Sequence, residues 1–293
     1  MPLFIIISGY VTRYSKPLSD GKSLLSFVKK RSLAYLCPWL VWTILVRGLI
    51  FGQTSFLDFK YLLWHMDSGY WFLATIWTIS MIYGLADLFS NKLSKNIWSN
   101  LALHVTFCLV GLAGLAVIGY FAGFDFLAIK LTLYYMSFYL MGFLYGHIQD
   151  WLTEKSWSKT VTNCAIVLSL GLWLAMINRF DFFAGGEGLA FVAGRFITSV
   201  LGSSAVIGLF VGIYGGGAGV QRALQWSGVH SLEIYLIHGF MLCLLTLVEP
   251  PILHSAIGWS LVAVNFTITV AFSFLFITII SKNKLLNKIL YWK

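Results

Sequence analysis

The sequence predicts an all-α protein, a polytopic bundle of transmembrane helices, and three observations predict it. Hydrophobic residues make up 59% of the 293 and charged residues only 11%, with a mean hydropathy of +0.82, where soluble chains carry about 25% charged residues. Apolar runs of the length a bilayer core demands, about 20 residues, recur along the whole chain. Cations gather in alternate connections between those runs. With 20 Lys and Arg and 11 Asp and Glu, a 32.9 kDa chain cannot build a water-facing surface, which excludes a soluble enzyme, a disordered tail and a nucleic-acid-binding domain. The formal charge of +9 therefore orients the chain in a membrane and marks no affinity for nucleic acid.

Nine segments are expected to be helical, in order 2–11, 33–51, 70–89, 101–122, 131–148, 161–177, 189–214, 231–248 and 257–280. Lipid cannot satisfy exposed backbone groups, so the alternative is a closed barrel of strands about ten residues long with alternating polarity. The run LALHVTFCLVGLAGLAVIGYFAGF at 101–124 is too long for a strand and does not alternate. Fifteen of the 20 cations fall in 12–32, 90–100, 149–160, 215–230 and 281–293, against three in 52–69, 123–130, 178–188 and 249–256. The first set is thus expected in the cytoplasm, with the C-terminus inside and segment 2–11 running inward. The opening MPLFIIISGY has no cationic flank and reads as a middle, so a preceding helix is expected, giving ten spans with both ends inside. No repeat, low-complexity tract or long linker divides the chain, and a single membrane domain over 1–293 is expected.

Cys37, Cys108, Cys164 and Cys243 are isolated, and neither a disulfide framework nor a structural metal is expected. The loop 52–69, with Trp64, His65 and Asp67 and running into Tyr70, and the Gly- and aromatic-rich stretch 178–190 read as interfacial belts or as covers over a site. Gly215-Gly216-Gly217 lacks Walker spacing and is expected to be a loop. Ser8, in a lone Ser-Gly-Tyr, has no nucleophile elbow.

Three places can carry chemistry. Lys29, Lys30 and Arg31 precede Pro38 and Trp39 at the cytoplasmic mouth of the second span, where they can hold the phosphates of a nucleotide-like donor or serve as a topogenic, headgroup-binding cluster. Ser231, Tyr235 and His238 share one helical face by spacing. His238, about 10 Å along that helix, reads equally as an acid–base group or as a packing histidine. Glu233 lies off that face and is expected to partner a cation on the cytoplasmic side. Arg47 and Arg195 sit at outer ends of spans, either snorkelling to headgroups or lining an external acceptor pocket, with Arg195 the better placed for a pocket. His104 and His147 are expected at the interface.

MPLFIIISGY, the cationic FVKKR leading to Pro-Trp, GYWFL, and SLEIYLIH near the end together resemble the integral-membrane acyltransferase 3 family, the fucose-acetylase-like members most. The resemblance implies a ten-helix domain in the inner (cytoplasmic) membrane that passes an acyl group, usually acetyl, from cytoplasmic acetyl-CoA to a glycan or lipid-linked sugar at the outer face, without a metal. It places Arg31 at the family's donor-site arginine, with Lys29 and Lys30 adding charge. A second arginine often follows three residues later, where this chain has Ala34. Trp71, Tyr235 and Arg195 are expected to contact substrate, and His238, in the late YLIH motif, to play a supporting part. The family's presumed catalytic histidine lies upstream of the MPLF-like motif, so the chain as written is expected to lack it and to be inactive unless a preceding helix supplies it. Rival readings are a transporter or polysaccharide flippase, which the absence of repeats and the position of Pro38, Pro250 and Pro251 near span ends speak against, and a non-catalytic remnant. Self-association is left open.

Overall fold

Twelve α-helices follow one another among the residues described by the computed structural model, which are 1–154, 159–179, 188–214, 217–245 and 256–291. They are α1 (Pro2–Val11), α2 (Gly21–Trp42), α3 (Phe59–Trp64), α4 (Trp71–Leu93), α5 (Ile97–Ala122), α6 (Ile129–Glu154), α7 (Lys159–Arg179), α8 (Leu189–Tyr214), α9 (Ala218–Val229), α10 (Ser231–Leu245), α11 (Ala256–Lys282) and α12 (Lys284–Tyr291). No strand occurs among the described residues. Each expected segment coincides with a helix, but α3, α9 and the amphipathic α12 were not anticipated, because they are too short or too polar for a hydropathy window. Among the described residues six helical stretches are long and apolar enough to cross a membrane: Gly21–Ile50, Trp71–Leu93, Ile97–Ala122, Phe126–Gln149, Leu189–Phe210 and Ile257–Lys282. α1, the apolar part of α7 and α10 are shorter.

Local chemistry sets the helix ends. Asp20 caps α2 by accepting from the Ser23 amide at 2.9 Å while Ser23 Oγ accepts from the Asp20 amide at 3.1 Å, a reciprocal box. The Asn96 side chain accepts from the amides of Trp98 and Ser99 at the start of α5, and Asn283 does the same for Leu285 and Leu286 at α12. α2 therefore begins twelve residues ahead of the expected span, so Lys29, Lys30 and Arg31 lie within the helix rather than in the connection before it. Pro38 also falls inside α2, which corrects the expectation that it marks a span end and removes that argument against a transporter. Beyond Trp42 the helix widens to a π-helix over Thr43–Ile50.

The chain divides into two compact units, Met1–Lys16 with Tyr134–Leu224, and Pro17–Leu133 with Gln225–Lys293. In the first, α1 lies against α6 at backbone contact. A Cβ on Gly9 would fall on the Tyr139 carbonyl oxygen and 2.9 Å from the Phe143 amide nitrogen, and one on Gly142 would fall on the Ile6 carbonyl. Gly142 and Gly146 have the small-xxx-small spacing that lets helices approach where lipid offers no hydrophobic drive. α7 packs along α8, with Trp173 over Gly202 and Ile166 over Gly208.

In the second unit α4 is the central helix, 67% of its most apolar window being buried against 17% for α5 and for α11. Three of its hydroxyls fold back on its own carbonyls, Thr75 onto Trp71, Thr78 onto Ala74 and Ser80 onto Ile76, so they are satisfied within the helix although buried. The core joins Trp39 and Trp42 of α2 and Val46 of the π-helix to Leu73, Leu236, Ile237, Ile277 and Tyr291. The segment 52–69 enters that core through Phe56, Leu62 and Met66, and Trp64 donates to the Ala122 carbonyl at 3.1 Å. It is thus built into the fold, which a belt of interfacial aromatics would not be. Most of the stretch 178–190 lies outside the described residues, as do Gly215, Gly216, Pro250, Pro251 and the Cys243 side chain.

Candidate functional site

On α2, the Arg31 guanidinium donates from Nη1 to Tyr35 Oη at 2.8 Å and stands 5.3 Å from the centre of the Phe27 ring and 5.7 Å from that of Tyr35. The i−4 and i+4 spacing brings both rings to one face with the arginine, and cation–π attraction holds it between them. α4 fixes this clamp from below. Phe27 lies over Gly84, where a Cβ would come within 2.8 Å of the ring, and Trp77 donates to Ser32 Oγ at 2.9 Å. Arg31 has five N–H donors, so one bond to Tyr35 leaves others to receive an anion. Lys29 and Lys30 beside it are exposed and make no ion pair among the described residues. The three cations predicted as a cluster are thus together, one of them preset in orientation and two adaptable.

Trp71 opens α4 and is half-buried. Tyr235 of α10 meets the residues on either side of it, with ring centres 6.1 Å from Tyr70 and 5.2 Å from Phe72. Gly239 permits this, since its missing Cβ would lie 2.7 Å from the Tyr70 ring. Tyr70 continues edge-on to Trp42, which stacks on Tyr291 and donates from its indole nitrogen to the Leu290 carbonyl at 3.0 Å. An aromatic line therefore runs from α10 to α12 through the middle of this unit. His238 is exposed on α10 and makes no hydrogen bond among the described residues, whereas Glu233 is only 2% exposed. Glu233 points inward, off the face of the exposed His238, with His230 Nδ1 3.4 Å from its Oε1, an ion pair when the imidazole is protonated.

Arg195 belongs to the other unit. It is exposed on α8 over the Phe191 ring and borders a cavity of about 300 Å³ with Trp173, Thr198, Ser199 and Ser203. The substrate residues expected from sequence thus divide, Trp71 and Tyr235 in one unit and Arg195 in the other. His104 is enclosed by protein. It is 1% exposed, its ring centre 5.0 Å from that of Tyr83, so it is packed between α4 and α5 and does not face outward. His147 is half-buried, with Nδ1 2.9 Å from the Phe143 carbonyl. Ser8 Oγ donates to the Phe4 carbonyl at 2.8 Å, as a packing hydroxyl does.

Among the described residues no group of three or more His, Cys, Asp or Glu could hold a metal ion, and Cys37, Cys108 and Cys164 are free thiols. A family model described as an acyltransferase domain, acyltransferase 3, matches residues 1–281. The chain belongs to the acyltransferase 3 family. The match takes in both compact units and every residue of the clamp around Arg31, and α12 lies beyond it. Neither a curated protein nor a solved structure matches the chain. As an acyltransferase embedded by apolar helices, the chain needs an activated acyl donor.

Sequence reasoning gave little weight to one feature here. Arg47 of the π-helix lines a cavity of about 610 Å³ with Gly52, Gln53, Thr54, Ser55, Phe56, Tyr61, Ser68 and Gly69. The available signal was a lone arginine followed within eight residues by Gln53, Thr54 and Ser55, a polar stretch beside a membrane helix.

Proposed function

We propose that the chain is an O-acyltransferase of the inner (cytoplasmic) membrane that moves an acetyl group from cytoplasmic acetyl-CoA to a sugar hydroxyl of an envelope or extracellular polysaccharide. The observation that carries this reading is the family match over residues 1–281, joined to an arginine held ready between Phe27 and Tyr35 with two exposed lysines beside it. The cation asymmetry supports a cytoplasmic position for residues 12–32 and for the C-terminus, so the donor enters from the side where acyl-CoA is made. Arg31 takes a phosphate through its free N–H donors, and Lys29 and Lys30 add mobile charge around the same group.

The acceptor hydroxyl oxygen attacks the thioester carbonyl carbon, a C–O bond forms, the C–S bond breaks, and coenzyme A leaves as its thiol after the hydroxyl proton has passed to a base and on to sulfur. General-base assistance of this kind supplies about 10²–10⁴-fold, and orientation of the thioester much of the remainder. His238, exposed on α10, has a supporting place in that proton transfer. Trp71 and Tyr235, and in the other unit Arg195, are assigned to the acceptor.

The test is transfer of labelled acetyl from acetyl-CoA to envelope glycans by membranes containing the protein. Label appears in glycan with the wild type. Arg31→Ala lowers transfer at least tenfold at limiting donor while the protein still inserts in the membrane; unaltered transfer by that variant removes Arg31 from the donor site.

A further inference from the structure

The cavity around Arg47 has the makings of a ligand site. Arg47 stands on a π-helical turn, where the Phe51 amide bonds back to the Val46 carbonyl at 3.0 Å and the Gln53 amide to that of Arg47 at 3.0 Å. A π-turn re-aims a side chain relative to the helix below it and recurs at functional sites. Here it turns Arg47 toward the segment that follows. The Nε atom of Arg47 is buried and without a hydrogen-bond partner, Nη1 reaches only Gln53 Oε1 at 3.5 Å, and no ion pair neutralises the guanidinium among the described residues.

A snorkelling arginine keeps its charged head in water. Arg47 is half-buried, and its Nε has no solvent contact and lies against Gly69, whose missing Cβ would be 3.7 Å from it, so the inner edge of the guanidinium faces protein while its outer edge faces the cavity. Gly69 and Gly52 both line the cavity with positive φ, +68° and +66°. That conformation suits glycine, and at Gly69 it keeps the wall low enough for the guanidinium to face the cavity. One turn below Arg47, Thr43 is fully buried with its hydroxyl also unpartnered.

The rest of the lining selects the class of ligand. Gln53, Thr54, Ser55 and Ser68 supply amide and hydroxyl groups, and Tyr61 and Phe56 supply rings. Tyr61 is held firmly, stacked on His65 at 3.8 Å between ring centres and edge-on to Phe56 at 5.3 Å. Polar side chains around a rigid aromatic fit a polyhydroxylated ring, and about 610 Å³ is within the range of small-molecule pockets. An unpaired guanidinium adds a demand for an anion, best met by the planar fork of a carboxylate. We propose that this cavity binds the carboxylate-bearing sugar of an acidic glycan. Together with the acyl-transfer reading above, on which this part rests, it selects acidic polysaccharides as acceptors. By the cation asymmetry of the connections, 52–69 faces outside, where such a glycan is met.

The experiment uses the whole chain in phosphatidylcholine nanodiscs and measures binding of digalacturonate and of its neutral counterpart galactobiose by titration calorimetry. Digalacturonate binds at least tenfold more tightly than galactobiose. Arg47→Gln abolishes that preference and leaves the weak binding of galactobiose and the melting temperature unchanged, while Arg47→Lys retains part of the preference. Equal binding of the two sugars, no binding of either, or a preference that survives Arg47→Gln overturns the proposal. So does loss of digalacturonate binding when phosphatidylglycerol is added to the nanodisc, which assigns the cavity to a lipid headgroup. Acetyl transfer to a neutral glycan with no preference for an acidic one sinks this inference and leaves the acyltransferase reading standing; absence of any transfer from acetyl-CoA sinks that reading, whatever the cavity binds.

Discussion

The helical stretch from Gly21 to Ile50 carries one arginine in its first half and one close to its end, and the two are held in opposite ways. Arg31 has a hydroxyl partner and two aromatic faces, with exposed lysines on its N-terminal side. Arg47, sixteen residues on and so about 24 Å away along a regular helix, has a buried nitrogen with no partner and a polar cavity in front of it. The first has a close partner within the protein and donors to spare; the second has only a long bond to Gln53 and one buried nitrogen with no partner. A run of cations is conspicuous in sequence but can be fully solvated, whereas a single cation with a buried, unpartnered nitrogen has stronger reason to bind.

The comparison can be broken most sharply from the Arg31 side. Gly84→Leu drives a side chain into Phe27, whose ring would already lie 2.8 Å from a Cβ at that position. Overpacking costs about 3 kcal/mol, and the clamp opens. Melting of the purified protein falls and binding of coenzyme A weakens with it; coenzyme A affinity unchanged in a folded variant separates the clamp from the donor.

Methionine in place of each arginine sharpens the contrast. Arg31→Met loses a hydrogen bond and two cation–π contacts and is destabilised by about 1 kcal/mol. Arg47→Met removes a buried donor that no group satisfies, so its stability stays level or rises by about 1 kcal/mol. Denaturation of the two variants side by side reads the difference, and equal losses would contradict it.

The smallest effect concerns the segment that walls the Arg47 cavity. Burial, and then the nearby Asp125 carboxylate, push the Asp67 carboxyl above its ordinary value. A raised folded-state pKa means that the stability contributed by the neutral acid is present at pH below the ordinary carboxylate value and lost as pH rises through the raised one. Amides of 59–69 therefore exchange faster as pH rises across that window, after correction for intrinsic rates. Asp67→Asn removes the dependence.

How much of this was legible in sequence follows from what lipid does to patterns. Apolar runs of about 20 residues gave the helices, because length alone betrays a span. Facing was another matter. α5 and α11 are apolar all round, and where lipid and protein interior are equally apolar, side-chain type does not tell which face turns inward. Hence sequence gave no sign that the ring of His104 and the carboxylate of Glu233 are buried within the protein. The cation cluster was legible because charge in a greasy chain stands out, and the resemblance supplied Arg31; the clamp of Phe27 and Tyr35 follows from i±4 spacing that could have been read. The π-turn at Thr43–Ile50 has no signature in hydropathy. The Arg47 cavity also needs Ser68 and Gly69, more than twenty residues distant, to fold back over it.

Sidedness of donor binding tests the central claim most directly. Radiolabelled coenzyme A is offered to inside-out and to right-side-out membrane vesicles bearing the wild-type chain or Arg31→Ala. The account predicts saturable binding to inside-out vesicles alone, reduced at least tenfold by the substitution; binding to right-side-out vesicles, or binding indifferent to Arg31, would contradict it.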